Sequence, residues 1–445
     1  MIAQIPPLDA AAKRRHYNLC DIDNLLSSIS LWPLLLAFHW KRYNRGCSVM
    51  HADPSGDVCT WSAAEIALPN MSAPPSGGAF FLRLGAAVLA ALLVGAPCPA
   101  LAEDAFKPGE IWNDTAGVPI NAHGGGMLVH DGTYYWFGEH KTEGSAGNRA
   151  QVGVHVYSSK DLYRWKDEGI ALKVSDDPAS DIVRDSIIER PKVLFNRLTG
   201  KFVMWFHLEL KGKGYRAARN GVAVADRPQG PYRFLGSSRP DMGAWPMNVR
   251  EEDQIQGPDK HLANDFALGQ QSRDMTLFQD DDGKAYLIYS SEENQSLHIS
   301  QLSDDYLKTI GRYLRLFPGT PLEAPALFKR QGHYYLFASG VTGWKPNAAY
   351  SAEANSIWGP WQMLDNPVRG AAEDVSTTFG AQSTYALPLP DMPDRIIFMA
   401  DRWKPQNAID GRYVWLPVEW EHDKPVLRWQ SAWRLPVQSS IKRER

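Results

Sequence analysis

The chain has 445 residues, 44% of them hydrophobic and 11% aromatic, with 47 Lys and Arg against 50 Asp and Glu. That length and apolar content can bury a large core, which excludes a disordered chain, and the near-balanced charge carries no basic footprint for nucleic acid. The abundance of Trp and Tyr leaves two readings open, bulky core filling or flat platforms for sugar rings.

Residues 1–70 follow neither a helical nor a strand period. They read as a disordered upstream extension, as a start codon assigned too early would produce, with a genuine pro-segment as the alternative. Over 71–102, Phe80-Phe81-Leu82-Arg83-Leu84 leads into a short Ala, Val and Leu block and then Ala100-Leu101-Ala102, the pattern of a signal peptide cut before Glu103. The block is short for a membrane span, and Pro97 ahead of Cys98 does not suit a lipid anchor. A secreted or periplasmic product with no stable membrane anchor is therefore expected. Cys20, Cys47, Cys59 and Cys98 all precede the cleavage point, so the body over 103–445 needs no disulfide framework.

Within the body a degenerate unit recurs. It opens with Gly126-Met127-Leu128-Val129, the turn His130-Asp131-Gly132-Thr133, Tyr134-Tyr135-Trp136-Phe137 and then Gly153 to Ser158. It returns as Pro191 to Phe195 with Phe202 to Phe206, as Met275 to Phe278 with Ala285 to Tyr289, and as Ala324 to Phe328 with Tyr334 to Phe337. The last copy runs Ser383 to Leu387, Arg395 to Met399 and Tyr413 to Val418, with a strand near Val426-Leu427 expected to complete its sheet. Short strands joined by tight turns are antiparallel meanders, and sheets of this size bury both faces only by stacking radially. The expected architecture is all-β, a single five-bladed β-propeller over 103–445. A sandwich of two large sheets would need fewer units of equal size.

Immediately ahead of each first strand stand His123, Glu189, Asp274, Glu323 and Gln382. First strands line a propeller's central channel, so these side chains should converge at the axis. Any one of them could simply bond neighbouring backbone, but Glu189 in Glu-Arg-Pro-Lys and Glu323 in Glu-Ala-Pro sit ahead of apolar strands, where an unpaired carboxylate is costly. Gathered acids suit glycoside cleavage, which asks for a proton donor and a second group acting on water, and a close carboxylate raises its neighbour's pKa. Asp114 is a further carboxylate near the first strand, with an Asx turn as the plainer reading. Asp280-Asp281-Asp282-Gly283 superficially resembles a calcium loop but reads as a hairpin turn, and there is no EF-hand.

Arg273-Asp274-Met275-Thr276-Leu277-Phe278 and Leu322-Glu323-Ala324-Pro325 resemble motifs of glycoside hydrolase family 43, whose fold is a five-bladed propeller. The resemblance implies Asp274 as the residue that tunes and orients, and Glu323 as the general acid. Ala122-His123-Gly124-Gly125-Gly126 stands where that family carries an aspartate base. With Trp112-Asn113-Asp114, Tyr134-Tyr135-Trp136 and Gly138-Glu139, this is similar to the branch containing exo-β-1,3-galactanases. In that branch a glutamine, matched here by Gln382, is implied to position the water. Glu189, Glu139 and His123 would bind the sugar. Arg402, Trp403, Trp136 and Trp344 could clamp and stack on it, with core packing as an equal alternative. The implied activity is an inverting, exo-acting glycosidase on β-1,3-galactan or arabinogalactan side chains. An α-L-arabinofuranosidase or β-xylosidase of the same family, or a non-catalytic sugar-binding propeller, are the alternatives. No cofactor is expected to be required, although a structural calcium or sodium at the axis is compatible with the family. The expected partner is an oligo- or polysaccharide, bound by a monomer.

Overall fold

Tight turns convert the alternating strands into meanders. His130 pairs with Thr133 across Asp131 and Gly132, whose φ values of 48° and 64° are the left-handed pair of a two-residue hairpin that matches strand twist. The computed structural model describes residues 104–436. The extension over 1–70, the segment over 71–102 that reads as a signal peptide, and all four cysteines lie outside the described residues.

The first sheet contains β1 (His123–His130), β2 (Thr133–Lys141), β3 (Gln151–Ser159) and β4 (Lys166–Lys173), in that order. The second repeats the plan with β5 (Ile187–Asn196), β6 (Lys201–Glu209), β7 (Arg219–Ala225) and β8 (Arg233–Ser238). The third has β9 (Met275–Gln279), β10 (Ala285–Ser291), β11 (Ser296–Leu302) and β12 (Thr309–Leu316). The fourth has β13 (Glu323–Arg330), β14 (His333–Ser339), β15 (Ala349–Ala354) and the short β16 (Gln362–Leu364). β17 (Val368–Arg369) then precedes a sheet made of β18 (Gln382–Leu389), β19 (Met392–Arg402) and β20 (Arg412–Pro417).

The described residues thus form a β-propeller, but with six sheets where the sequence led us to expect five. The difference lies in the final strand. β22 (Lys424–Arg428) does not complete the β18–β20 sheet; it pairs antiparallel with β21 (Glu419–Glu421) and parallel with β17, forming a small sheet of its own. Val368 and Leu427 of this small sheet still pack into the core beside Phe398 and Leu416.

β1, β5, β9, β13 and β18 contact one another in sequence, and β18 returns to β1, so the inner strands close a ring. Apolar clusters fill the spaces between successive sheets. The cluster between the first and last large sheets contains Trp136, Trp165, Trp415 and Leu387. There the ends of the described chain meet: Phe106 and Trp433 exchange backbone hydrogen bonds of 2.9 and 3.0 Å and their rings stack at 4.3 Å. Burial on this scale, at roughly 25 cal/mol per Å² of apolar surface, holds the ring rigid enough to fix side chains at its centre.

Candidate active site

The inner strands carry a repeated local device. The β1–β2, β5–β6 and β13–β14 pairings slip between His123 and Gly126, Glu189 and Lys192, and Glu323 and Ala326. In each case the residue after the first has positive φ: 60° at Gly124, 56° at Arg190 and 56° at Ala324. A bulge of this kind turns a strand's first side chain away from the pleat. Left-handed Arg190 and Ala324 each cost about 1–3 kcal/mol, strain of the kind that concentrates at functional sites.

The Gly124-Gly125-Gly126 run has its own steric cause. A Cβ at Gly124 would lie 2.2 Å from Glu139 Oε1, and one at Gly126 would lie 2.4 Å from Lys192 Cδ. Glu139, reaching in from β2, therefore occupies the space at the first blade, where no carboxylate stands on the inner strand.

These elements surround an axial cavity of about 200 Å³ whose wall includes Glu139, Glu189, Asp274, Glu323, Gln382 and Trp403. Gln382 is fixed on every side. Its Nε2 donates to Glu323 Oε1 at 2.7 Å and to Ser339 Oγ at 3.0 Å, while its Oε1 accepts from Arg190 Nη2 at 2.6 Å and Trp403 Nε1 at 2.9 Å. Two donors thus meet on the amide oxygen and two acceptors on the amide nitrogen. Arg190 also donates to Asp274 Oδ2 at 2.8 Å and to the Ser383 carbonyl at 2.9 Å, and its guanidinium lies 5.2 Å from the Trp403 ring centroid.

The electrostatics separate the carboxyl groups. Burial, reinforced by the negative charge of Asp274, pushes Glu323 up to about 8, so it is a loaded acid at neutral pH. Burial also works against ionised Glu189, but the hydrogen bond and charge of His207, with Lys141 and Tyr215, outweigh it and bring Glu189 down to about 2. Glu139 pairs with Lys141 Nζ at 2.5 Å and accepts from the Arg190 backbone N–H at 3.0 Å. Behind the wall, buried Lys192 donates to the Gly124 and Arg190 carbonyls at 3.1 and 3.2 Å, and burial followed by the Arg190 charge lowers it to about 7.

Several residues expected at the site lie elsewhere. Trp136 is 1% exposed and packs on Trp415 at 4.6 Å, so it fills the core and no sugar can stack on it. His123 is wholly buried against Tyr413 and Gly411, with Nδ1 3.7 Å from Asp401 Oδ2. It does not line the cavity, although its strand carries the same bulge as those of Glu189 and Glu323. Arg402 donates to the Phe379 carbonyl at 2.9 Å and lies over Trp429, outside the cavity wall. Asp114 closes the expected Asx turn by accepting from Ala116 and Val118 N–H at 2.8 and 2.9 Å, and the Asp280 backbone closes the expected hairpin through Gly283 and Lys284. Trp344, 39% exposed, and Trp403 do border the cavity, edge to face at 6.0 Å.

The sequence reading missed Arg190, Tyr215, Asn148 and His207. For Arg190 the signal was present: two cations in Glu189-Arg190-Pro191-Lys192, flanked by apolar residues, needed buried counter-charges as much as Glu189 did. Tyr215 and Asn148 sit on short 3-10 turns, Gly214–Arg216 and Gly147–Arg149, which no period announces.

Among the described residues, Glu189, His207 and Asp274 alone place three metal-ligating atoms within 4.8 Å of one another. They fit a calcium site poorly: that ion takes about 6–8 oxygen ligands, and this cluster supplies two carboxylates and one ring nitrogen, with Glu189 already bonded by Tyr215, Asp274 by Arg190 and His207 lying between Glu189 and Glu209.

Residues 125–426 match the family model for glycosyl hydrolases family 43. Among solved structures, the chain is similar to a family 43 β-1,3-galactosidase in complex with galactodeoxynojirimycin, with 49% identity over 74% of this chain and 100% of that one and a TM-score of 0.70. It is similar to the exo-β-1,3-galactanase of Phanerochaete chrysosporium with galactose, with 34% identity, coverage of 75% and 69%, and a TM-score of 0.63. The β-D-galactofuranosidase of Aspergillus niger is 25% identical over 274 residues, 60% of this chain and 71% of that protein. With the family match spanning most of the propeller and the acids gathered at its axis, the chain belongs to glycosyl hydrolases family 43 and is a glycoside hydrolase.

Proposed function

We propose that this enzyme removes terminal galactose from β-1,3-linked galactan or arabinogalactan side chains, with inversion. The observation that carries the reading is the pairing, in one cavity of about 200 Å³, of a glutamic acid pushed up to about 8 with a glutamate brought down to about 2. A cavity of that size suits one sugar ring, which favours attack at a chain end. Galactose is supported by the 49% identity to a β-1,3-galactosidase along that protein's whole length.

Glu323 is the proton donor to the leaving oxygen. Asp274 keeps it loaded through its charge and anchors Arg190. Glu189 and Glu139 accept hydroxyl hydrogen bonds, and Trp403 and Trp344 face the ring. Gln382 orients the water. A neutral amide is a poor base, but in an oxocarbenium-like transition state the water becomes acidic as it bonds to the anomeric carbon, so its proton passes to bulk water during or after attack, and Glu323, left ionised by protonating the leaving oxygen, takes a proton back from solvent. Inverting carboxyl pairs stand about 6.5–9.5 Å apart; Gln382 is an amide bonded to Glu323 at 2.7 Å and acts by orientation within the acid's own hydrogen-bond network.

The test is hydrolysis of β-1,3-galactobiose beside aryl α-L-arabinofuranoside and β-xyloside, with the anomer of the first product followed by NMR. Release of galactose with inverted configuration is expected. Release of arabinose or xylose alone would reject the galactanase reading. Export and a monomeric state are part of the same proposal, and the N-terminal mass of the protein recovered outside the cell, with its mass in solution, tests both.

A further inference from the structure

Glu189 is held from behind by groups the reaction itself does not use. Its Oε2 lies 2.8 Å from His207 Nδ1, and His207 Nε2 lies 3.0 Å from Glu209 Oε1. His207 and Glu209 come from β6, two residues apart and therefore on one face of that strand, and both are wholly buried. Glu209 Oε2 accepts from the backbone N–H groups of Ala217 and Ala218 at 2.8 and 3.1 Å. Those residues directly follow Gly214–Arg216, the turn that carries Tyr215. Tyr215 then donates to Glu189 Oε1 at 2.7 Å and receives a bond from Asn148 at 2.7 Å. The circuit is closed: one side chain fastens the loop, and the loop's tyrosine meets the same carboxylate that the histidine holds.

We propose that His207 and Glu209 are positioning residues that hold Glu189 as a fixed, ionised acceptor for a sugar hydroxyl and tie the Tyr215 loop to the cavity wall. This rests on the reading of the axial cavity as the sugar site. A buried imidazole between two carboxylates carries the positive charge that makes two buried acids tolerable. Its pKa is raised to about 9 despite burial, so the arrangement persists across neutral pH. The other charged or titratable groups facing Glu189 are Lys141, Tyr215, Arg190, Asp274 and Glu323. Of these, Asp274 and Glu323 oppose its charge once ionised. Without His207, burial, already the largest single influence, is no longer outweighed to the same extent and Glu189 takes up a proton at a higher pH than in the parent.

The test compares the parent, His207→Phe, His207→Gln and Glu209→Gln on β-1,3-galactobiose across pH. His207→Phe should raise KM about tenfold or more with a smaller change in kcat, and should move the acid limb of kcat/KM up by about two pH units. His207→Gln, which keeps a donor without the charge, should restore part of KM and less of the acid limb. Glu209→Gln, which keeps the packing, should show the same direction more weakly and make the Tyr215 loop more open to proteolysis. Equal losses at every pH with an unmoved acid limb, or no change, would overturn the proposal. If His207→Phe fails to fold, Glu209→Gln and nitrogen-15 NMR of the parent decide it: a His207 ring that is neutral at pH 7 would overturn the proposal. If the parent does not cleave galactobiose, the substrate reading has failed instead, and calorimetric titration with galactose applies the same pH comparison to binding.

Discussion

Replacing Asp274 by Asn removes one negative charge from beside Glu323 while leaving an amide oxygen for Arg190. Burial and then the Asp274 charge are what push Glu323 up to about 8. A pair of unit charges sharing such a cavity at an effective dielectric of about 20 interacts by on the order of 2 kcal/mol, or about 1.5 pKa units. Arg190, no longer neutralised by Asp274 at 2.8 Å, pulls in the same direction. The alkaline limb of kcat/KM, set by loss of the Glu323 proton, should therefore fall from about 8 to between about 6 and 7. The assay is initial-rate hydrolysis of β-1,3-galactobiose from about pH 4 to 10, comparing the shape of the profile rather than its height. A limb that stays near 8 or moves upward would refute the coupling.

Glu323→Gln should stabilise the protein at alkaline pH. A carboxyl whose folded pKa lies above its unfolded value binds more protons when folded, so the parent loses stability as pH rises from about 4.5 towards about 8, and the amide does not; a gain on the order of 2 kcal/mol near pH 8 and none near pH 4 is expected in denaturant melts. Trp136→Ala should cost about 3–5 kcal/mol by opening a cavity in the core, whereas Trp403→Ala should chiefly raise KM; thermal melts beside kinetics separate the two. Asp114→Ala should lose about 1 kcal/mol with its turn and leave kcat unchanged, and a severe loss of activity would return Asp114 to the reaction.

The propeller was legible because the short apolar run from Met127 to Val129 and its later copies read as strands, and the turns between them are too short for any but antiparallel neighbours. The small sixth sheet was not. Val368 and Arg369 carry no periodic signal, and their pairing with Leu427 and Arg428 depends on tertiary placement alone. Blade-start positions marked Glu189, Asp274, Glu323 and Gln382, all of which reach the cavity, but the same rule failed at His123. There the glycine run turns the chain, and Glu139 comes in from the neighbouring strand instead. Trp136 was left open between core and cavity for a related reason: an aromatic in a strand beside the axis can face either side of its sheet, and only the packing of Trp165 and Trp415 decides which.

The account stands on Glu323 as the proton donor at the glycosidic oxygen. A leaving-group series with Glu323→Gln tests this most directly, because a good leaving group needs no proton. On β-1,3-galactobiose, kcat should drop by about 10²–10⁴-fold, while on a dinitrophenyl β-galactoside it should stay close to the parent's. Equal losses on both substrates, or full activity on the disaccharide, would contradict the assignment.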